Sequence, residues 1–175
     1  MAANTPPSEP EPQQLACRWM GMLMRDTGGD VQLAVQLNEL NANEPAERER
    51  NGITTELSNY VQRAFAAYRL GLFEPYLSPD EFAFMKANYG KRAAEMPRLI
   101  ARIDQVMAEG MPPTNPVAQQ VAREWIDIFV SYAGTDPATH QKIRTAQAKE
   151  PGLRAGTFVS DELLVFIRIA IAAAQ

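Results

Sequence analysis

Cysteine and histidine occur once each in the 175 residues, as Cys17 and His140. A lone cysteine forms no internal disulfide, which fits a reducing, cytoplasmic setting. A lone histidine excludes His-based metal clusters, and a Cys-His nucleophile pair would need these two distant residues to meet. Basic residues are also outnumbered: 17 Lys and Arg stand against 21 Asp and Glu, giving a net charge of −4 and a pI near 5.1. Nucleic-acid affinity rests on clustered Lys and Arg, so no direct nucleic-acid contact is expected. Long apolar runs are missing too. The most apolar window, "ELLVFIRIAIAAA", carries Glu162 and Arg168 and falls short of the ~20 residues that cross a bilayer, so no membrane span is expected. No segment alternates with period two over a β-branched run, which excludes a β fold. There is no Gly-rich phosphate loop; Gly28-Gly29 reads as a helix stop.

The first twelve residues, "MAANTPPSEPEP", lack any large apolar side chain beyond Met1. Acid and proline stand where a secretory signal needs a basic start and an apolar run, so residues 1–12 read as a flexible proline-rich arm. The rest has an ordinary globular composition, 46% apolar and 22% charged over the whole chain. That is enough for one domain, or for two small half-domains packed together.

What is present is a repeat. Shifted by 106 residues, Gln13 to Ala67 lies over Gln119 to Ala173 without a gap, and fifteen positions carry the same residue. They are Gln13, Gln14, Ala16, Trp19, Gly28, Asp30, Ala42, Glu44, Pro45, Arg48, Glu56, Leu57, Ala64, Ala66 and Ala67. Unrelated sequences would match at roughly 3. An internal duplication of three-helix units follows.

Helix punctuation is dense. Asn115-Pro116 and Asp136-Pro137 each place a cap before a proline at the first helical position, Gly134 ends the helix between them, and Ser160 caps the last one. Ser78-Pro79-Asp80-Glu81 is a capping box, and "MPRLIARIDQVMAEG" is an amphipathic helix ending at Gly110. Trp125, Ile128, Phe129 and Tyr132 share one helical face, as do Leu15, Trp19, Met22 and Leu23 in the first copy. The expected fold is all-α with about eight helices: an arm at 1–12, a first repeat at 13–77, a linking helix pair at 78–111 and a second repeat at 112–175. Copy one is preceded only by the arm, with no equivalent of the linking pair. An apolar face left open there would favour a homodimer.

Convergent polar groups are few, so no catalytic residue, metal ligand or cofactor is expected. Asp30 and Asp136 stand at helix starts, where capping accounts for them, and Asp26 is left without a partner for acid-base work. His140 reads as a polar residue on the exposed side of its helix. Cys17 reads as a small core residue, with a reactive thiol as the alternative. Aromatic and Met content is the remaining signal. Each aromatic has a core role open to it, but together such side chains line adaptable apolar cavities that stack on flat ligands. Met20, Met22 and Met24 meet Ile126, Ile128 and Val130 in copy two, so the softer wall is expected in the first half.

In order and spacing, "RWMGMLMRDTGGD", "LNELNANEP", "RAFAAYRL", "YLSPDEFAF", "MPRLIA", "PVAQQVAREWIDIFVSYAGTD" and "EPGLRAGTFVSDELLVFI" resemble the TipAS-type antibiotic-recognition domains, and among them the albicidin-binding, tandemly duplicated members. The resemblance runs from Gln13 to the C-terminus. It implies globin-like helical half-domains, a tunnel between them, and non-catalytic capture of a long, flat, albicidin-like or other aromatic peptide antibiotic. It equally admits the effector-sensing part of a MerR-type transcription regulator. The side chains expected to face a ligand are Trp19, Leu23, Leu40, Asn41, Tyr60, Phe65, Arg69 and Phe73 in the first repeat. Trp125, Phe129, Tyr132, Arg144, Phe158 and Phe166 are their complement in the second. Asn41 is placed as a polar contact at the tunnel mouth. Arg69 and Arg144 would meet an acidic ligand end or, equally, lie on solvated helix faces.

Overall fold

The computed structural model describes residues 5–44, 46, 50 and 52–174. Among these the chain is all-α, with eight α-helices and no strand. They are α1 (Pro10–Asp26), α2 (Val31–Asn43), α3 (Thr55–Phe73), α4 (Pro79–Asn88), α5 (Met96–Ala108), α6 (Pro116–Ala133), α7 (Pro137–Lys149) and α8 (Asp161–Ala173). Single 3₁₀ turns at Glu74–Tyr76 and Pro151–Leu153 follow α3 and α7.

The expected caps are made. Asn115 accepts from the Val117 N–H, Asp136 from Ala138 and Thr139, and Ser160 from Leu163. Ser78 and Glu81 form both halves of the capping box at α4. Each satisfies backbone donors that the first helical turn leaves without partners. Asp30 does the same for α2, accepting from Leu33. The start of α1 differs from expectation: Pro10 to Pro12 belong to the helix, Pro12 is buried, and the Tyr60 hydroxyl donates to the Thr5 carbonyl at 2.8 Å. Proline is well suited to the first helical turn, so residues assigned to the arm initiate α1 instead. Residues 1–4, Pro45, Arg48 and Gln175 lie outside the described residues.

Two clusters hold the interior. In the first, Leu99, Ile100 and Ile103 of α5 interlock with Val121 and Ile128 of α6 and with Leu163 and Ile167 of α8. The α5 residues share one face, with Val106 a turn further on, so the helix buries that stripe as a unit. In the second, Phe73 from the end of α3 meets Met85 of α4, Ala133 of α6, Ile143 and Ala146 of α7, and Leu153. Each large apolar side chain enclosed this way stabilises the fold by about 1.5–3 kcal/mol.

The helices α1, α2 and α3 begin at Pro10, Val31 and Thr55; α6, α7 and α8 begin at Pro116, Pro137 and Asp161, each 106 residues later. In each set the first helix packs on the third. The linking pair is not shared equally. Both α4 and α5 pack on α6, and α5 also touches α8 and α2. The face of α1 expected to be buried through Leu15, Trp19, Met22 and Leu23 is accordingly half open: Leu15 and Met22 are exposed.

Candidate functional site

The two sets of helices meet where α3 lies against α7 and the 3₁₀ turn at 151–153. Two glycines let the segment after α7 press onto the first half. A Cβ on Gly152 would collide with the Tyr68 hydroxyl and stand 2.9 Å from Leu72 Cδ1. At Gly156, which has φ +72, a Cβ would lie 2.8 Å from the Cβ of Met20 and 3.6 Å from Phe65. Only a residue without a side chain allows that approach in that backbone conformation. Tyr76 ties the same region from the other end, donating its hydroxyl to Glu150 Oε1 at 2.7 Å.

A chain of rings crosses this seam. The Arg69 guanidinium lies 5.9 Å from the Phe65 ring centre and 5.7 Å from that of Tyr89, within cation-π range. Tyr89 continues edge-on to Tyr132 at 5.2 Å and to Phe73 at 6.2 Å. Tyr132 meets Phe129 at 5.6 Å, and Phe129 meets His140 at 4.9 Å, all with steeply inclined planes. Such edge-to-face contacts contribute about 0.5–1.5 kcal/mol each beyond area burial. The polar ends are held. Arg69 Nη2 donates to the Leu153 carbonyl at 2.7 Å. His140 Nε2 is 2.7 Å from the Gly134 carbonyl, which can only accept, so that nitrogen carries the proton. Burial pushes the Tyr89 and Tyr132 hydroxyls above the usual tyrosine range, against an opposing pull from the Arg69 charge, so both stay protonated.

Of the fourteen side chains expected to face a ligand, this seam brings together Phe65, Arg69, Phe73, Phe129 and Tyr132. Trp125, Phe158 and Phe166 pack instead against the α5, α6 and α8 cluster. Phe158 does so with φ 60, a left-handed conformation that a bulky side chain adopts only under constraint. Trp19 and Leu23 lie half-buried on α1, and Leu40 is exposed. Tyr60 is committed to Thr5. Asn41 donates to the Ile53 carbonyl at 3.1 Å, while its buried Oδ1 has no partner. Arg144 is exposed on α7 and bonded to Gln141, so it takes no part in the seam. His140 is half-buried against Phe129 rather than out in solvent.

Tyr89 is not among the side chains expected from sequence to face a ligand. Phe82, Met85 and Tyr89 fall at i, i+3 and i+7, a spacing that puts all three on one face and could have marked it. Burial raises the Cys17 thiol pKa, which disfavours a reactive thiolate and fits the small-core reading. Among the described residues, no three His, Cys, Asp or Glu side chains are placed to hold a metal ion.

Between the repeats, where a tunnel is expected, the rings of the seam pack against one another. Two open depressions lie between α2 and α5. The larger, about 320 Å³, is open to solvent and lined by Asp30, Val31, Gln32, Ala101, Asp104, Gln105 and Ala108. Burial and the Asp30 charge both raise the Asp104 pKa. This depression has no aromatic side chain in its lining for a flat ligand to stack on. No described helix is long and apolar enough to cross a membrane.

No protein-family model matches the chain. It is similar to a protein of Klebsiella oxytoca named albicidin resistance protein, with 30% identity over 142 residues. The match takes in 81% of this chain, which spans 64% of that relative's length.

Proposed function

We propose that the protein confers antibiotic resistance by capturing a long, flat, albicidin-like aromatic antibiotic between its helical halves, without turnover. The observation that carries this reading is the ring series Phe65, Arg69, Tyr89, Tyr132, Phe129 and His140, which runs from the first half into the second. Rings that now pack edge-on against one another can exchange those contacts for a planar ligand, so entry replaces one set of aromatic contacts with another. The similarity to the albicidin resistance protein supports the ligand class. The matching helix starts, 106 residues apart, support a TipAS-like duplication with the seam at its internal boundary.

Capture by mass action needs tight binding, and a nanomolar dissociation constant corresponds to about −12 kcal/mol. Trp19 and Trp125 are both half-buried and serve as reporters. Titration of the full chain with albicidin, read by tryptophan fluorescence and calorimetry, is expected to give nanomolar 1:1 binding with the drug recovered unmodified. Absence of both heat and quenching, or steady conversion of the drug, would overturn the reading.

A further inference from the structure

Four of the described arginines bridge to acidic partners at 2.9 Å or closer: Arg92 with Glu95, Arg98 with Glu39, Arg102 with Glu124 and Arg154 with Asp161. Arg69 has none within ion-pair distance among the described residues. Its guanidinium makes one hydrogen bond, to the Leu153 carbonyl, and its Nε is buried without a partner. Arg69 is half-buried, and two ring faces partly replace its lost hydration, but a buried, unused guanidinium N–H leaves a place for an anion. The neighbouring Tyr89 and Tyr132 remain protonated, so no phenolate supplies one.

We propose that Arg69 is the specificity-determining residue of the seam and takes a carboxylate carried on an aryl ring of the ligand. A carboxylate is planar and matches the guanidinium fork, and its ring would lie among Phe65, Tyr89 and Tyr132. Arg144, exposed and bonded to Gln141, has no such surroundings. Because Arg69 stands on α3 and is bonded to Leu153 after α7, the anion would sit where the two halves are joined. This assignment rests on the capture reading above and adds the chemistry of one end of the ligand.

The test has two arms. In the first, benzoate and benzamide are added to the isotope-labelled full chain, and the Arg69 Nε–H resonance is followed. Benzoate is expected to shift it and benzamide to leave it; no shift with benzoate overturns the assignment, whatever larger ligands do. In the second, a linear aryl-amide trimer ending in a free carboxylate is compared with its carboxamide twin. The carboxylate form is expected to bind roughly 10- to 100-fold tighter. Arg69→Gln should bring that ratio close to one with little change for the carboxamide, and Arg69→Lys should restore part of it. Equal binding of both forms to the unmodified protein defeats the role of Arg69 and leaves capture standing. Binding of neither form, together with no response to albicidin, defeats capture itself.

Discussion

At positions 106 apart, Leu37 of α2 leaves 44% of its surface in solvent, while Ile143 of α7 is fully enclosed. The pattern recurs. Leu15, Met22 and Leu57 are exposed in the first half; Val121, Ile128 and Leu163 are buried in the second. The side chains are similar and the helices start at matching places, so local sequence does not make the difference. Position beside the linking pair does. Both α4 and α5 pack on α6, and Met85 of α4 reaches the cluster around Ile143, whereas α2 packs on α5 and neither member of the pair packs extensively on α1. An amphipathic stripe states what a helix can bury; the neighbouring element decides whether it does.

The largest effect that would break this contrast is in the core. Ile143→Ala should cost about 3 kcal/mol through lost burial and an unfilled cavity, and Leu37→Ala about 1 kcal/mol or less. Denaturant unfolding of both variants measures the gap, and equal losses would mean that the two halves are supported alike. Next is the contact that holds the halves together. Gly156→Ala places a Cβ on Met20 in a backbone conformation unfavourable to alanine, and should cost about 1–2 kcal/mol. Met20→Ala in the same chain should not rescue it, because the atom met is the Cβ of residue 20. Full recovery in the double variant would show that the segment is not pressed against α1.

The smallest effect sharpens the comparison electrostatically. Lys142, Thr139 and the Ser78 backbone hold the Glu81 carboxyl down to about 2, tying α4 to α7. At the corresponding places α2 has Gln36 and Leu33, which offer no such tie. A folded pKa below the ordinary 4.5 means that this stabilisation is complete above the ordinary value and is lost as pH falls through about 2. Lys142→Gln should therefore lower stability by about 1 kcal/mol at neutral pH and flatten its decline under acid. Unfolding midpoints between neutral and strongly acid pH would check it, and an unchanged slope would remove Glu81 from the account.

Much of the fold was legible because helix ends are written locally. Ser78, Asn115, Asp136 and Ser160 announce helices with their own side chains, and the capping interaction needs only a few residues. The start of α1 was not legible, because the proline that argues for a loose arm is also favoured in a first helical turn, where Pro10 and Pro12 stand. The seam was half legible. Phe129 and Tyr132 stood out by spacing within α6, but Tyr89 ends a short helix, and its partners come from α3 and α6. Arg69 and Arg144 could not be separated by sequence. Only the approach of Leu153 and two rings distinguishes the first from a solvated arginine.

The exposed leucines of α2 also have a consequence for the timing of motion. Val31 and Ala34 anchor the start of α2, but Leu33, Leu37 and Leu40 contribute little burial, so the later turns of α2 should open at a free-energy cost below that of global unfolding. Amide hydrogens in those turns would exchange with solvent before those of α7, so opening would begin at the outer edge of the first half.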